Sequence, residues 1–404
     1  MPTRPTEHEL DEFLTRGMAE VIVREDLRAL LASGERRLRI KQGFDPTHPN
    51  LHIGHSVGLR KLRTLARWGH EIILIVGDWT TQIGDPTDKD ESRPMRSHDE
   101  VMSNAATYIE QFHLVVPKEQ SRIVLQNEWF GKFGLRDVIE LASRFTVQQV
   151  LAREEFRKRQ AAGTPIPIKD LLYPLLQAHD SVAIEAEVEA GGTDQLFNLL
   201  AGRELQEAVG QRPQNIYVTH LLEGLDGEKM SKSKPATAIW FTDPPIEMFG
   251  KVMAIRDDLM PHYFEWATEM PLPEVRAILD GIATGDLHPR EAKEKLARQI
   301  VTEFHSLEAA DDAAAAFRKQ FAQGEQPADI PDVSVAKDGA RSLNIVDLLV
   351  RASLVKSKGE ARRLVEQRGV KVNTAVADLA TEVPTTAAPI IQYGKRKYAR
   401  ITWV

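Results

Sequence analysis

One stretch of about 40 residues restricts the fold more than anything else in this chain. Residues 38–44 (LRIKQGF) alternate as a strand does, and 45–50 (DPTHPN) form a turn cluster. Residues 51–68 then put Leu59, Leu62, Leu65 and Ala66 on one side of a helix, with Gly69 placed to end it. The next segment, 71–77 (EIILIVG), is apolar without alternation. It is far too short to cross a bilayer, which takes about 20 residues, so protein must cover both of its faces. Strand, helix and doubly buried strand in this order make a βαβ unit. The expected fold class is therefore α/β, with a parallel sheet of the nucleotide-binding kind.

The rest reads as helices punctuated by a few strands. The spacing of Leu10, Phe13, Leu14, Met18, Val21, Leu27, Leu30 and Leu31 predicts helix across residues 1–35, and helical patterning dominates 99–181. Strands are expected at 182–189, ahead of Gly191, Gly192 and a helix through Glu207, and at 215–220, before a loop at 223–235. From 246 to 321 the pattern is helical, broken at Pro261, Pro271, Pro273 and Gly285. Residues 324–332 (GEQPADIPD) read as a linker. A length of 404 residues suits two to three domains.

Charge narrows the partners. Residues 342–404 hold eleven Lys/Arg against five Asp/Glu, a net of +6, while the preceding 341 residues carry −13 of the overall −7. A basic module on an acidic body suits a polyanion held at one end; a solvated basic face is the blander alternative. The absence of cysteine excludes disulfides, thiolate metal sites and Cys nucleophiles, and fits a reducing compartment. The first residues, MPTRPTEHE, carry early acids and no apolar core of a leader, so a soluble, cytoplasmic protein is expected.

Two short segments concentrate the chemistry. In PTHPNLHIGH at 46–55, His52 and His55 stand three apart at a helix start, so both imidazoles share a face beside the amide-rich end that attracts anions. Gly54 between them leaves room for a flat ring to approach the backbone. A zinc pair is one rival reading, although no third ligand stands nearby; two solvated histidines are the other. In EKMSKSK at 228–234, Lys229, Ser231, Lys232 and Ser233 crowd a loop that precedes no Walker-type helix. The two lysines can pin a triphosphate and neutralise charge building on a departing pyrophosphate; a solvated basic loop is the alternative. A third segment, 171–180, puts Tyr173, Gln177 and Asp180 at i, i+4 and i+7 on one helix face amid Leu171, Leu172, Leu175 and Leu176. Facing inward, that stripe can hold the polar groups of a bound ligand; facing outward, it is only a wet side.

Taken together, LHIGH at 51–55 and KMSKS at 229–233 match letter for letter the paired signatures of class I aminoacyl-tRNA synthetases, in the right order. GFDPT at 43–47, GD at 77–78, IGDP at 83–86, YPLLQAHD at 173–180 and GGTDQ at 191–195 resemble the tyrosyl-tRNA synthetases, and the resemblance covers essentially the whole chain. Residues 342–404 look like an S4 RNA-binding domain, which bacterial tyrosyl enzymes carry and tryptophanyl enzymes lack.

The resemblance implies a Rossmann-like parallel-sheet catalytic domain at 1–236 with a helical insert at about 130–165. An α-helical anticodon-arm domain at 237–322, a linker at 323–341 and a small α+β S4 domain at 342–404 follow. It implies tyrosine–tRNA ligation with ATP as co-substrate, Mg²⁺ travelling with the nucleotide rather than in a metal site of the protein. L-tyrosine, tRNA(Tyr) and a second copy of the chain are the implied partners, and a membrane is not. By the same resemblance His52, His55, Lys229 and Lys232 are catalytic. Asp45, Thr47, Gly54, Gly192, Asp194, Ser231 and Ser233 join them around ATP, with Asp194 on the ribose; Thr193 or Asp194 also reads as a plain N-cap. Asp180 takes the substrate phenol proton, Tyr173, Gln177 and Asp85 surround the α-amino group, and Gln195 lies by the reacting carboxyl. Lys41 stands where the best-known bacterial branch has a tyrosine at the phenol, and whether Lys41 or Gln42 makes that contact stays open. His179 replaces the usual tyrosine of that segment. Lys356, Lys358, Arg362, Arg363, Lys395, Arg396 and Lys397 are the candidate tRNA contacts. A tryptophanyl enzyme and a non-catalytic RNA-binding descendant are the other readings. The tail and Asp180 weigh against the first, the intact signatures against the second.

Overall fold

The computed structural model describes residues 2–86, 96–322, 330–373, 375–394 and 397–404. They form two compact units, residues 1–317 and 318–404.

The first unit is built on a six-stranded sheet of β1 (Met18–Ile22), β2 (Arg39–Phe44), β3 (Glu71–Val76), β4 (Ser121–Leu125), β5 (Val188–Gly192) and β6 (Asn215–Thr219), in the order β1-β6-β5-β2-β3-β4. All neighbours pair in parallel except β1 with β6. β3 is buried from Ile72 to Val76, as an unbroken apolar strand covered on both faces must be. Between β2 and β3 runs helix α1 (Ile53–Arg67), which buries Val57, Leu59, Leu62, Leu65 and Ala66 and is followed by Gly69 at φ +89°. Helices α2 (Ile168–Ala183) and α3 (Leu196–Ala208) flank β5 in sequence and pack on each other.

Three segments differ from what local periodicity predicts. Residues 1–35 are not one helix: Glu7–Thr15 and Arg24–Ser33 are helical, while Met18 and Val21 lie in β1. Gly17 and Val23, both at positive φ, break the helix, and the intervening backbone joins the antiparallel ladder of β6. β4 interrupts the helical stretch 99–181 because five residues are too few to establish a period, whereas pairing with β3 is a long-range gain. The strand expected at 182–189 begins only at Val188, since α2 continues to Ala183. Helices from Pro245 to Ala322 follow β6, and the core that holds Leu10 and Leu59 runs on through Phe249, Phe264 and Phe317. Among the described residues no helix is long and apolar enough to cross a membrane.

The second unit has a sheet ordered Ala375–Val376, Val370–Val372, Ile390–Tyr393, Lys397–Trp403 and Asp332–Val335. Its last pair is parallel, and Asp332–Val335 comes from the stretch read as linker. Helices α4 (Ile345–Arg351) and α5 (Lys358–Glu366) close a separate core of Ile345, Leu348, Leu349, Val365, Ile391 and Ile401.

Candidate active site

From β2 the chain proceeds to β3 and β4 on one side and returns to β5 and β6 on the other. That reversal opens a crevice beyond the carboxyl ends of β2 and β5, where ligands of such sheets bind. A cleft of about 460 Å³ occupies it. Asp45, Thr47, His52, Gly54 and His55 arrive on the β2–α1 connection, Asp85 from beyond β3, and Tyr173, Gln177 and Asp180 on α2. Gly192, Asp194 and Gln195 follow β5, and Lys229, Ser231, Lys232 and Ser233 come from the loop after β6.

The histidines meet at the start of α1. Their ring centroids are 3.9 Å apart, and the His52 backbone N–H donates to His55 Nδ1 at 3.2 Å. Burial and the Lys232 charge push the His55 pKa down to about 3; burial and the neighbouring His55 lower that of His52. Both rings are therefore neutral at pH 7 and can offer N–H groups, not charge. A Cβ at position 54 would come within 2.9 Å of His52 Nδ1, so Gly54 permits the close ring placement.

The lysine loop supplies the cations. Lys229 Nζ pairs with Asp194 Oδ2 at 2.6 Å across the cleft mouth, in an exposed bridge that a ligand can open at small cost. Lys232 Nζ reaches the Asp45 carbonyl at 3.3 Å and lies over the Tyr108 ring at 4.5 Å. The Ser231 and Ser233 hydroxyls are 2.7 Å apart.

At the inner end, Asp180 is buried and accepts from Gln126 Nε2 at 2.8 Å and Trp129 Nε1 at 3.2 Å. Tyr173 donates its hydroxyl to Asp45 Oδ2 at 2.8 Å, and Thr80 donates to Asp45 Oδ1 at 2.7 Å. Asp85 accepts from Arg153 at 2.8 Å and from Gln195 Nε2 at 2.9 Å. Asn198 bridges Gln177 Oε1 and Gln195 Oε1 at 2.9 and 3.0 Å. The stripe of α2 thus faces inward, into a preformed polar network. Lys41 is the exception: it does not line the cleft, whereas Gln42 does. It faces its register partner Glu189 on β5, with Nζ 3.1 Å from Glu189 Oε1 and 3.3 Å from the Gln177 carbonyl.

Sequence reasoning missed Gln126, Trp129, Arg153, Asn198 and Thr80. The first two follow β4, a strand itself unseen, and no local pattern marks Arg153. In the second unit Lys356, Lys358, Arg362, Arg363 and Lys397 are exposed, with Lys358 bridged to Asp347 at 2.6 Å. Lys395 and Arg396 lie outside the described residues. Among the described residues there is no group of three or more metal-ligating side chains.

Burial pushes the carboxyls of Asp45 and Asp180 up to about 7. Raised above the unfolded value near 4, each holds its proton longer in the folded state. The associated stability is full below about pH 4 and is lost as pH rises through 7. Wild type should therefore lose up to about 2 kcal/mol relative to Asp180→Asn between pH 5.5 and 8, measured by urea unfolding at both values. Parallel pH dependences would contradict the assignment.

Comparison with known proteins follows the same outline. Residues 33–322 match the family model of tRNA synthetases class I (W and Y), and residues 320–401 that of the tyrosine–tRNA ligase SYY-like C-terminal domain. The tyrosine–tRNA ligase of Dehalococcoides mccartyi is 48% identical over 396 residues, 98% of each chain. That of Moorella thermoacetica is 45% identical over 395 residues, 96% of this chain and 94% of its own. A C-terminally truncated mitochondrial tyrosyl-tRNA synthetase of Aspergillus nidulans shares the fold, with a TM-score of 0.63 and 22% identity over 78% of this chain and 94% of that one.

Proposed function

The chain belongs to the class I tyrosyl-tRNA synthetases, and from that premise we propose that it joins L-tyrosine to the 3′ end of tRNA(Tyr) in two steps. The observation that carries the reading is that one cleft holds both signature segments and, at its inner end, the buried carboxyl of Asp180. The Dehalococcoides mccartyi and Moorella thermoacetica relatives and the C-terminal family are those of tyrosine–tRNA ligases, and the buried Asp180 carboxyl can accept the hydroxyl of a phenol.

In the first step a carboxylate oxygen of tyrosine attacks the α-phosphorus of ATP. The bond from that phosphorus to the bridging oxygen breaks, and its electron pair leaves on pyrophosphate. In the second step the 3′-terminal adenosine hydroxyl of tRNA attacks the carbonyl carbon of tyrosyl-adenylate, and AMP departs. No covalent enzyme intermediate is needed; positioning and charge stabilisation supply the catalysis. His52 and His55 donate N–H groups to phosphate oxygens, and Lys229 and Lys232 meet the growing pyrophosphate charge. Asp45, Thr47, Gly54, Gly192, Ser231 and Ser233 complete the ATP site, and Asp194 turns from Lys229 to the ribose. Tyr173, Gln177 and Asp85 receive the α-amino group, Gln195 the carboxyl region and Asp180 the phenol. Mg²⁺ enters with the nucleotide.

The same reading gives tRNA to the exposed cations of the second unit and the anticodon arm to residues 237–322. Activation belongs to 1–236, and 323–341 joins the parts. Leu135, Ile139, Val147 and Ile168, each more than half exposed on or beside the helical insert, support a homodimer through that surface. The acting compartment is the cytoplasm.

Amino-acid-dependent ATP–pyrophosphate exchange tests the activity. Exchange should require L-tyrosine and reject phenylalanine, because a substrate without the hydroxyl displaces water from the buried Asp180 carboxyl and offers it no hydrogen bond in return. Asp180→Ala should lose tyrosine activation by roughly 100-fold or more and with it most of the Tyr/Phe gap. Exchange driven by tryptophan, or wild-type selectivity in Asp180→Ala, would sink the reading.

A further inference from the structure

Position 48 lies outside both signature segments, yet the fold brings a third histidine to the same cleft. His48 occupies the turn between β2 and α1 and lines the cleft with His52, His55 and Lys232. Its ring lies nearly flat on Trp240, with centroids 4.9 Å and planes 16° apart. Trp240 is itself anchored. Its backbone N–H donates to Asp243 Oδ2 at 2.8 Å, Lys251 holds both Asp243 oxygens at 2.8 Å, and a β-bridge ties Trp240 to His52. The imidazole plane is therefore set before any ligand arrives.

The tautomer is set as well. His48 Nδ1 accepts the Asn50 backbone N–H at 3.1 Å, which leaves the proton of the neutral ring on Nε2. Nε2 has no hydrogen-bond partner among the described residues. Burial and the charge of Lys232 lower the pKa, so the ring is an N–H donor and not a cation. Lys232 and the adjacent Thr47 belong to the phosphate side of the proposed ATP site, apart from the α2 stripe that faces tyrosine.

We propose that His48 is a further residue of the adenylation site, donating Nε2–H to an oxygen of the β,γ-diphosphate of ATP and then to the departing pyrophosphate. The inference rests on the reading of the cleft as a tyrosine-activating site. His48 gives up no proton in the step. The carboxylate–phosphorus bond forms, the bond to the bridging oxygen breaks, and the hydrogen bond strengthens as charge gathers on the leaving group. Three neutral imidazoles and two ammonium groups then surround the phosphates.

A ring stacked on Trp240 could also serve packing alone, and two variants separate the roles. His48→Phe keeps a flat ring and removes the donor; His48→Gln keeps an N–H and removes the ring. In full-length protein, His48→Phe should slow both single-turnover adenylate formation and its reversal by pyrophosphate roughly 10- to 100-fold. Tyrosine Kd and the rate of transfer from preformed adenylate to tRNA should not change. His48→Gln should recover most of the loss, and urea midpoints of all three proteins identify any general destabilisation. Wild-type rates in His48→Phe overturn the proposal. So does a His48→Gln as slow as His48→Phe with both midpoints lowered, which is the packing outcome. Tyrosine-dependent exchange by wild type runs alongside: its absence sinks the ligase reading and this inference together, whereas its presence with unaltered His48→Phe sinks only the latter.

Discussion

Lys229→Ala and Lys232→Ala should each slow tyrosyl-adenylate formation by about 100-fold, a loss of roughly 3 kcal/mol in the transition state, while tyrosine affinity barely changes. An ammonium that meets charge only as pyrophosphate leaves contributes more to the transition state than to the ground state, so its loss falls on the rate. The two lysines should not be equal. Lys232 is pre-positioned against the Asp45 carbonyl and the Tyr108 ring, whereas Lys229 first leaves an exposed bridge to Asp194. Lys232→Ala should therefore cost more. Lys229→Ala also unties Asp194, so part of its loss should appear in ATP affinity. Stopped-flow single-turnover measurements decide this; unaltered rates in both variants would remove the lysines from the mechanism.

A truncation ending at Ala322 should separate activation from tRNA charging. Each unit has its own hydrophobic core, so removing the second leaves the core around Leu59, Phe249 and Phe264 intact. Every cleft residue assigned to activation is retained, and tyrosine-dependent exchange should persist within a few-fold. The lost tail carries the net +6 of residues 342–404, with Lys356, Lys358, Arg362 and Arg363 exposed on and beside α5. Charging should fall by roughly 100-fold or more at physiological salt through weaker tRNA binding, and the residual activity should depend less steeply on salt. Exchange and charging, measured side by side on the truncated protein, tell the two roles apart. Equal retention would deny the tail a role in tRNA binding, and equal loss would make it structural.

What could be read from the chain alone follows from where each feature is encoded. The βαβ unit at 38–77 is directly legible, because alternation, helical period and an unbroken apolar run are local properties of neighbouring residues. The same holds for the face shared by Tyr173, Gln177 and Asp180, since i, i+4 and i+7 coincide on any helix. The two signature segments are legible as letters, and the structure brings them to one cleft. Met18 and Val21 show the opposite case: their spacing fits a helix, but Gly17 breaks it and the ladder of β6 recruits the backbone as a strand.

By itself the sequence determined the βαβ unit at the heart of the sheet, the family and the signature side chains that line the cleft. Only the tertiary structure decided what those side chains meet. Gln126 lies 54 residues from Asp180 and Arg153 lies 68 from Asp85, and both contacts exist because separate strands and helices converge. Lys41, one of two candidates for the phenol contact, pairs with Glu189 because β2 and β5 pair in that register, and from there its charge acts on Asp180. Charge state belongs to the same class. The same aspartate that would ionise near pH 4 on an exposed strand is held up to about 7 at position 180, because burial removes the water that stabilises its charge. Periodicity records which face of an element is apolar; the partners and solvation of a buried polar group depend on residues distant in sequence, and only folding brings those together.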